Sequence, residues 1–236
     1  IADSYDIRDI SDDLAGKRRC KEELIAEFSL VPEVDDEQRS GYLQLEPDWP
    51  LFTFIGRLSD QKGVDILAEA AKHFFSDGKN ANLLCLGSGV EYQEESLKKV
   101  ALGPEIKGRF CFIRGYDPQL ANRIYAAGDF FLIPSRYEPC GLTDYIALLF
   151  GSLPVVHHVG GLVKVEDGKT GFAYRGNSPE NLALTMQRAF DAYPDKQKMR
   201  RMQRDGVLKI DREHTWKQVM KKYILLYKES VAGLSG

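Results

Sequence analysis

Six short apolar runs recur along this chain, and a segment with helical spacing separates each from the next. That alternation leaves few folds open. The runs are residues 51-55, 81-86, 109-113, 129-133, 153-156 and 171-174. Predicted helices occupy 63-76, 90-100, 118-127, 142-150, 179-192, 196-206 and 213-230. Short apolar runs bounded by turn residues read as buried strands. Their alternation with helices predicts a Rossmann-like, doubly wound α/β domain with a mostly parallel six-stranded sheet. Ligands of such sheets bind beyond the C-terminal strand ends. The leading segment, 1-50, reads differently. Asp12 to Phe28 predicts a charged amphipathic helix starting near Ser11, and Pro32 to Pro50 is a polar, acidic connector of no assigned structure. The chain therefore divides at 50, with the doubly wound unit over 51-236.

Composition narrows the partners. A length of 236 residues allows one large domain or two small ones. The 43% hydrophobic and 28% charged shares fit a soluble globular chain. A formal net charge of -3 argues against nonspecific nucleic-acid binding. No apolar run reaches membrane length, and no signal peptide is visible. Cys20, Cys85, Cys111 and Cys140 include no closely spaced pair, which argues against structural zinc. Cys85 and Cys111 lie in apolar runs and read as buried thiols. The expected compartment is the cytoplasm, or a plastid if a transit peptide has been removed. His157-His158 invites a metal, but adjacent strand residues point apart and nothing nearby completes a site; either could instead lie near a bound sugar. Trp216, Val219, Met220, Tyr223, Ile224 and Tyr227 have helical spacing, read as a stripe that buries its helix.

Two turns carry the chemistry. Phe130 to Ile133 is a strand that Pro134 can end, and Gly141-Leu142-Thr143 precedes a predicted helix. Free amides there would face an anion, and Thr143 can cap the helix or meet the ligand. Glu138 repels phosphate, so a sugar hydroxyl is its natural partner; the plainer reading is a solvent-facing glutamate beside a capped helix. Cys140 has no adjacent base and reads as a small packing residue. The second turn, Gly56 to Gly63, follows strand 51-55 and is bracketed by Arg57 and Lys62. Two such cations can hold a diphosphate and neutralise a leaving phosphate; alone, they also fit an ordinary surface turn. Gly87-Ser88-Gly89 follows a strand without the full dinucleotide fingerprint. It reads equally as part of the same cleft or as a generic tight turn.

Ser59-Asp60-Gln61-Lys62-Gly63, Pro134 to Thr143, and Gly151 to Val156 followed by Gly160-Gly161-Leu162 resemble, in order and separation, the C-terminal half of bacterial glycogen synthases and plant starch synthases. The resemblance runs from about Asp3 to Tyr227. It implies one half of a two-domain GT-B glycosyltransferase, with residues 1-50 holding the interdomain crossing and leading helix. It implies retaining transfer of glucose from ADP-glucose to an alpha-1,4-glucan, with no metal or other cofactor. By motif, Arg57 and Lys62 would stabilise departing ADP and Glu138 would lie near the glucose. Cys140, Gly141, Leu142, Thr143, Gly160 and Gly161 would line the donor, with Gly87 and Tyr116 facing the nucleotide. Departures are informative. The lysine-glycine-glycine loop and histidine of the family's preceding acceptor domain do not occur here, so the isolated chain is expected to be inactive. A noncatalytic nucleotide- or glucan-binding module is the alternative. Lys164 stands where the family has aspartate, and reads as a solvated loop lysine rather than a phosphate contact. Ile146 stands where related transferases carry a second glutamate, which glycogen and starch synthases also commonly lack.

Overall fold

Strict two-residue alternation sorts the strand side chains between two helical layers. In strand β2 (Leu51–Ile55), Phe52 and Phe54 enter one cluster and Leu51 another. β3 (Asn82–Gly87) divides Leu83 and Cys85 from Leu84 and Leu86 in the same way. The pattern continues through β4 (Phe110–Arg114), β5 (Phe130–Ile133) and β6 (Leu153–His157). These strands are buried on both faces, which is why they read as continuous apolar runs. A computed structural model describes residues 3–30 and 38–233 of the chain.

Helices α2 (Val64–Phe75), α3 (Glu91–Leu102) and α6 (Pro179–Ala192) cover one face. Helices α1 (Ala15–Ser29), α4 (Pro118–Ala127) and α5 (Thr143–Leu149) cover the other. With β1 (Arg39–Tyr42) and β7 (Phe172–Tyr174), the sheet has seven strands in the order β1-β4-β3-β2-β5-β6-β7. Every pairing is parallel except β1 with β4. Without β1 this is the Rossmann strand order, and its switch point lies between β2 and β5.

Four expectations need correction. The sheet has a seventh strand, within the connector to which the sequence assigned no structure. Its sequence, Arg-Ser-Gly-Tyr, is polar because β1 is an edge strand paired only to β4. Residues 32–37 of that connector lie outside the described residues. Helix α1 begins at Ala15 rather than near Ser11, because Asp12 and Asp13 accept the amides of Leu14 and Ala15. Helix α7 (Lys196–Glu213) outruns its predicted end at 206, because Val207 and Ile210 extend the stripe begun by Met199 and Met202. The apolar stripe of α8 (Trp216–Gly233) is not buried: Trp216 is 77% and Tyr227 63% exposed. Among the described residues α8 packs chiefly on α7, so its spacing marks an amphipathic face that stays largely exposed here. No helix of the described residues is long and apolar enough to cross a membrane.

Candidate functional site

The turn leaving β2 and the loop leaving β5 open side by side at the switch point, and a set of polar contacts fastens them together. A short 3-10 turn, Asp60–Lys62, leads through Gly63 into α2. Arg136, from the β5 loop, donates to the Asp65 carboxylate at 2.8 and 2.6 Å and to the Asp60 carbonyl at 2.7 Å. This guanidinium holds the Asp65 carboxyl below its usual range. The Arg136 amide donates to the Gln61 carbonyl, and the Gln61 side chain to that of Tyr137. The two turns are therefore one braced unit.

Lys62 and Glu138 meet inside it. Lys62 Nζ lies 2.5 Å from Glu138 Oε2, and the Ser135 hydroxyl donates to the same oxygen at 3.2 Å. Glu138 is 9% exposed, so it is not the solvent-facing glutamate of the plainer reading. Arg57 is exposed, and no ion pair or hydrogen bond engages it among the described residues. One cation is thus held by a carboxylate while the other is unengaged.

The loop after Glu138 rests on a 3-10 turn, Gly160–Lys164. Gly161 donates its amide to the Glu138 carbonyl at 2.7 Å. A Cβ on Gly161 would sit 2.2 Å from the Cys140 carbonyl oxygen, so only glycine permits this approach. Lys164 corrects another expectation: its side chain is 14% exposed, not solvated. Its ammonium donates to the Cys140 carbonyl at 2.6 Å and to that of Gly141. It lies 3.3 Å from Asp144 Oδ1 and 3.8 Å from the centre of the Tyr145 ring. Asp144 is fully buried, and burial pushes its carboxyl up to about 6 although Lys164 pulls the other way. Cys140 is exposed rather than packed, because the loop is gripped by its backbone. Thr143 does not cap α5, whose first turn has no side-chain cap. Gly141 is buried and Leu142 exposed.

The ends of β3 and β4 complete the rim. The Gly115 amide donates to the Gly87 carbonyl, and Tyr116 beside it is 85% exposed. Leu58 donates to Ser88 and receives from Val90, which ties the Gly87-Ser88-Gly89 turn to the basic one. Glu94 accepts from the Gly89 amide at 2.9 Å and pairs with Arg114 at 2.6 Å, beside a cavity of about 480 Å³. Neither Glu94 nor Arg114 was singled out in the sequence. Arg114 ends a strand and Glu94 sits in a first helical turn, and that placement at the C-terminal strand ends was the available signal. Arg136 was equally overlooked, although it stands inside the motif. His157 and His158 diverge, toward the Ser135 and Val163 carbonyls. Among the described residues no group of three or more metal-ligating side chains forms.

A larger cavity, about 670 Å³, opens at the opposite strand ends between α1 and α7. Its buried lysines are already engaged. Lys17 donates to the carbonyls of Ala126, Gly128 and Phe150, and burial pulls its pKa down to about 8. Lys21 donates to Asp129, to Tyr193 and to the Trp49 carbonyl. These ammonium groups hold strand ends in place, so the switch point is the better candidate.

Comparison with known proteins gives the family and the fold. The family described as "Glycosyl transferases group 1" matches residues 49–192. A glycogen synthase of Thermodesulfovibrio yellowstonii is 35% identical over 229 residues, covering 97% of this chain and 41% of the relative. One from Marinobacter nauticus is 37% identical over 192 residues, or 78% of this chain and 38% of the relative. The chain thus spans about two fifths of the curated relatives it matches. Among solved structures, the catalytic domain of starch synthase IV from Arabidopsis thaliana, bound to ADP and acarbose, superposes with a TM-score of 0.74 at 25% identity. It matches 97% of this chain, and 45% of that structure is covered. Anabaena Alr3699/HepE in complex with UDP shares the fold at a TM-score of 0.62 and 18% identity, with 78% of this chain and 50% of that structure covered. The architecture is that of one half of a two-domain GT-B glycosyltransferase.

Proposed function

Because this chain belongs to the group 1 glycosyl transferases, we propose that it forms the nucleotide-sugar-binding half of a retaining glucosyltransferase, one that moves glucose from ADP-glucose to an alpha-1,4-glucan. The observation that carries the reading is the Lys62–Glu138 pair beside the unengaged Arg57 at the switch point. A diphosphate leaving group develops negative charge as the sugar bond breaks. Arg57 and Lys62 neutralise that charge, while the loop amides after Cys140 fix its position. Glu138 holds Lys62 through Oε2 and keeps Oε1 for a sugar hydroxyl. Tyr116 offers its exposed ring to the base. Residues 51-236 form the donor domain, and 1-50 lead from an acceptor domain that supplies the glucan wall. The compartment proposed is the cytoplasm, or a plastid for a protein that has lost a transit peptide.

Binding and turnover test the reading separately. Calorimetry with ADP, UDP and their glucose conjugates should show ADP binding by the wild type and a marked loss in Lys62→Ala. Equal binding by both, or none by the wild type, contradicts the site. Glucose incorporation into glycogen from ADP-glucose should be near zero for this chain and robust for a protein that also carries the acceptor domain. A noncatalytic nucleotide- or glucan-binding module is the second reading. It gains if the longer protein binds donor and transfers nothing.

A further inference from the structure

Lys164 stands where the resemblance leads one to expect aspartate, and its contacts give it a task that aspartate cannot perform. Its ammonium donates to two successive main-chain carbonyls, those of Cys140 and Gly141. A carboxylate only accepts hydrogen bonds and would repel both oxygens. The lysine is held from behind by Asp144 and lies over the face of the Tyr145 ring. It stands on the same 3-10 turn whose Gly161 grips the Glu138 carbonyl. One turn therefore holds the motif loop at three successive points along 138–141.

The consequence follows from peptide geometry. In a trans peptide the C=O and N–H point in opposite directions. Drawing the carbonyls of Cys140 and Gly141 toward Lys164 turns the amides of Gly141 and Leu142 away from it. Neither amide donates to a protein acceptor among the described residues. We propose that Lys164 is a positioning residue, which sets the orientation of these two amides for the diphosphate of the donor and does not touch the donor itself. The proposal rests on the donor-binding reading above and assigns the loop's order to one side chain.

Charge supports the arrangement. Asp144 is fully buried, and Lys164 is its only ion-pair partner among the described residues. The groups that face Asp144 are Lys164 from the 3-10 turn, Tyr125 from α4, Tyr145 from its own helix, and Lys209 and His214 across a small cavity behind the loop. Lys209 is already committed to the Glu166 carboxylate and the Lys164 carbonyl. Loss of the Lys164 ammonium would thus both free the loop carbonyls and leave a buried carboxylate without its partner.

The test uses the whole chain as Lys164→Met, which keeps the stem and loses the donors, and Lys164→Arg, which keeps them. Residual dipolar couplings of the Gly141 and Leu142 amides, which report the direction of each N–H bond, are measured without ligand, alongside ADP titration and the titration of the Asp144 carboxyl carbon by NMR. In Lys164→Met, the couplings at these two amides should change. ADP affinity should fall by roughly 5- to 150-fold, the usual range for coupling between sites. The Asp144 carboxyl should titrate at higher pH, and Lys164→Arg should recover part of the affinity. Unchanged affinity in Lys164→Met overturns the proposal. So does weakened affinity with unchanged couplings, which would make Lys164 a direct phosphate ligand. If the wild type binds no ADP, the donor-binding reading fails. The couplings alone then decide whether Lys164 orients the two amides, and unchanged couplings overturn that too.

Discussion

Replacing Lys62 with methionine would leave Glu138 in a site where it is 9% exposed with only the Ser135 hydroxyl on Oε2. The lost interaction can be bracketed. The two side chains are 22% and 11% exposed, between a surface pair and a buried one. Exposed pairs contribute about 1 kcal/mol or less. Stranding one partner of a buried pair costs about 3–5 kcal/mol. For this pair we expect a loss of about 2–3 kcal/mol in folding stability, with a urea midpoint lower by about 0.7–1 M at a slope of about 3 kcal/mol per M. The double variant Lys62→Met/Glu138→Gln strands no charge and should return to within about 1 kcal/mol of the wild type. The cycle should then give a coupling of about 2 kcal/mol. Glu138→Gln alone should bind ADP more tightly, because Lys62 is released and a negative charge is removed. A Lys62→Met protein as stable as the wild type, or a double variant no more stable than the single, would refute the reasoning.

Three further outcomes follow from particular residues. Gly63→Ala should cost about 2 kcal/mol or more, since its φ of 66° is left-handed and a Cβ would meet the Pro134 carbonyl at 2.2 Å; Gly78→Ala, at a φ of 71° in open space, should cost less, and equal losses in thermal melts would count against the close approach. Asp144, raised from 3.8 to about 6, favours the fold most below about pH 3.8 and loses that contribution as pH rises through about 6, a change of about 3 kcal/mol; urea midpoints of the wild type should fall over that range relative to Asp144→Asn, and parallel profiles would contradict this. Tyr116→Ala should weaken ADP binding about tenfold or more through lost base stacking while leaving inorganic pyrophosphate binding unchanged, and calorimetry showing equal losses would rule stacking out.

The central sheet was legible because its strands are buried on both faces, so Leu51 to Ile55 and Phe130 to Ile133 read as apolar runs. β1 was not, since a polar edge strand of four residues carries no apolar run. The stripe on α8 was legible as helix but misleading about burial, because spacing records a face and not what covers it. At the site, the two turns announced themselves through glycine, proline and charge. Their joining did not: the contacts from Lys62 to Glu138 and Gln61 to Tyr137 span 76 residues, and nothing local in a sequence encodes them. Lys164 was misread for the same reason, since its partners lie 23 and 24 residues away.

The most direct measurement is a titration of the isotope-labelled chain with ADP, followed residue by residue through its amide resonances. The account predicts shifts concentrated at residues 56–62, 87–89, 114–116 and 138–143, with Lys17, Lys196 and Arg201 around the larger cavity at the far strand ends unmoved. Shifts centred on that far cavity, with the β2 and β5 turns silent, would contradict the placement of the donor site at the switch point.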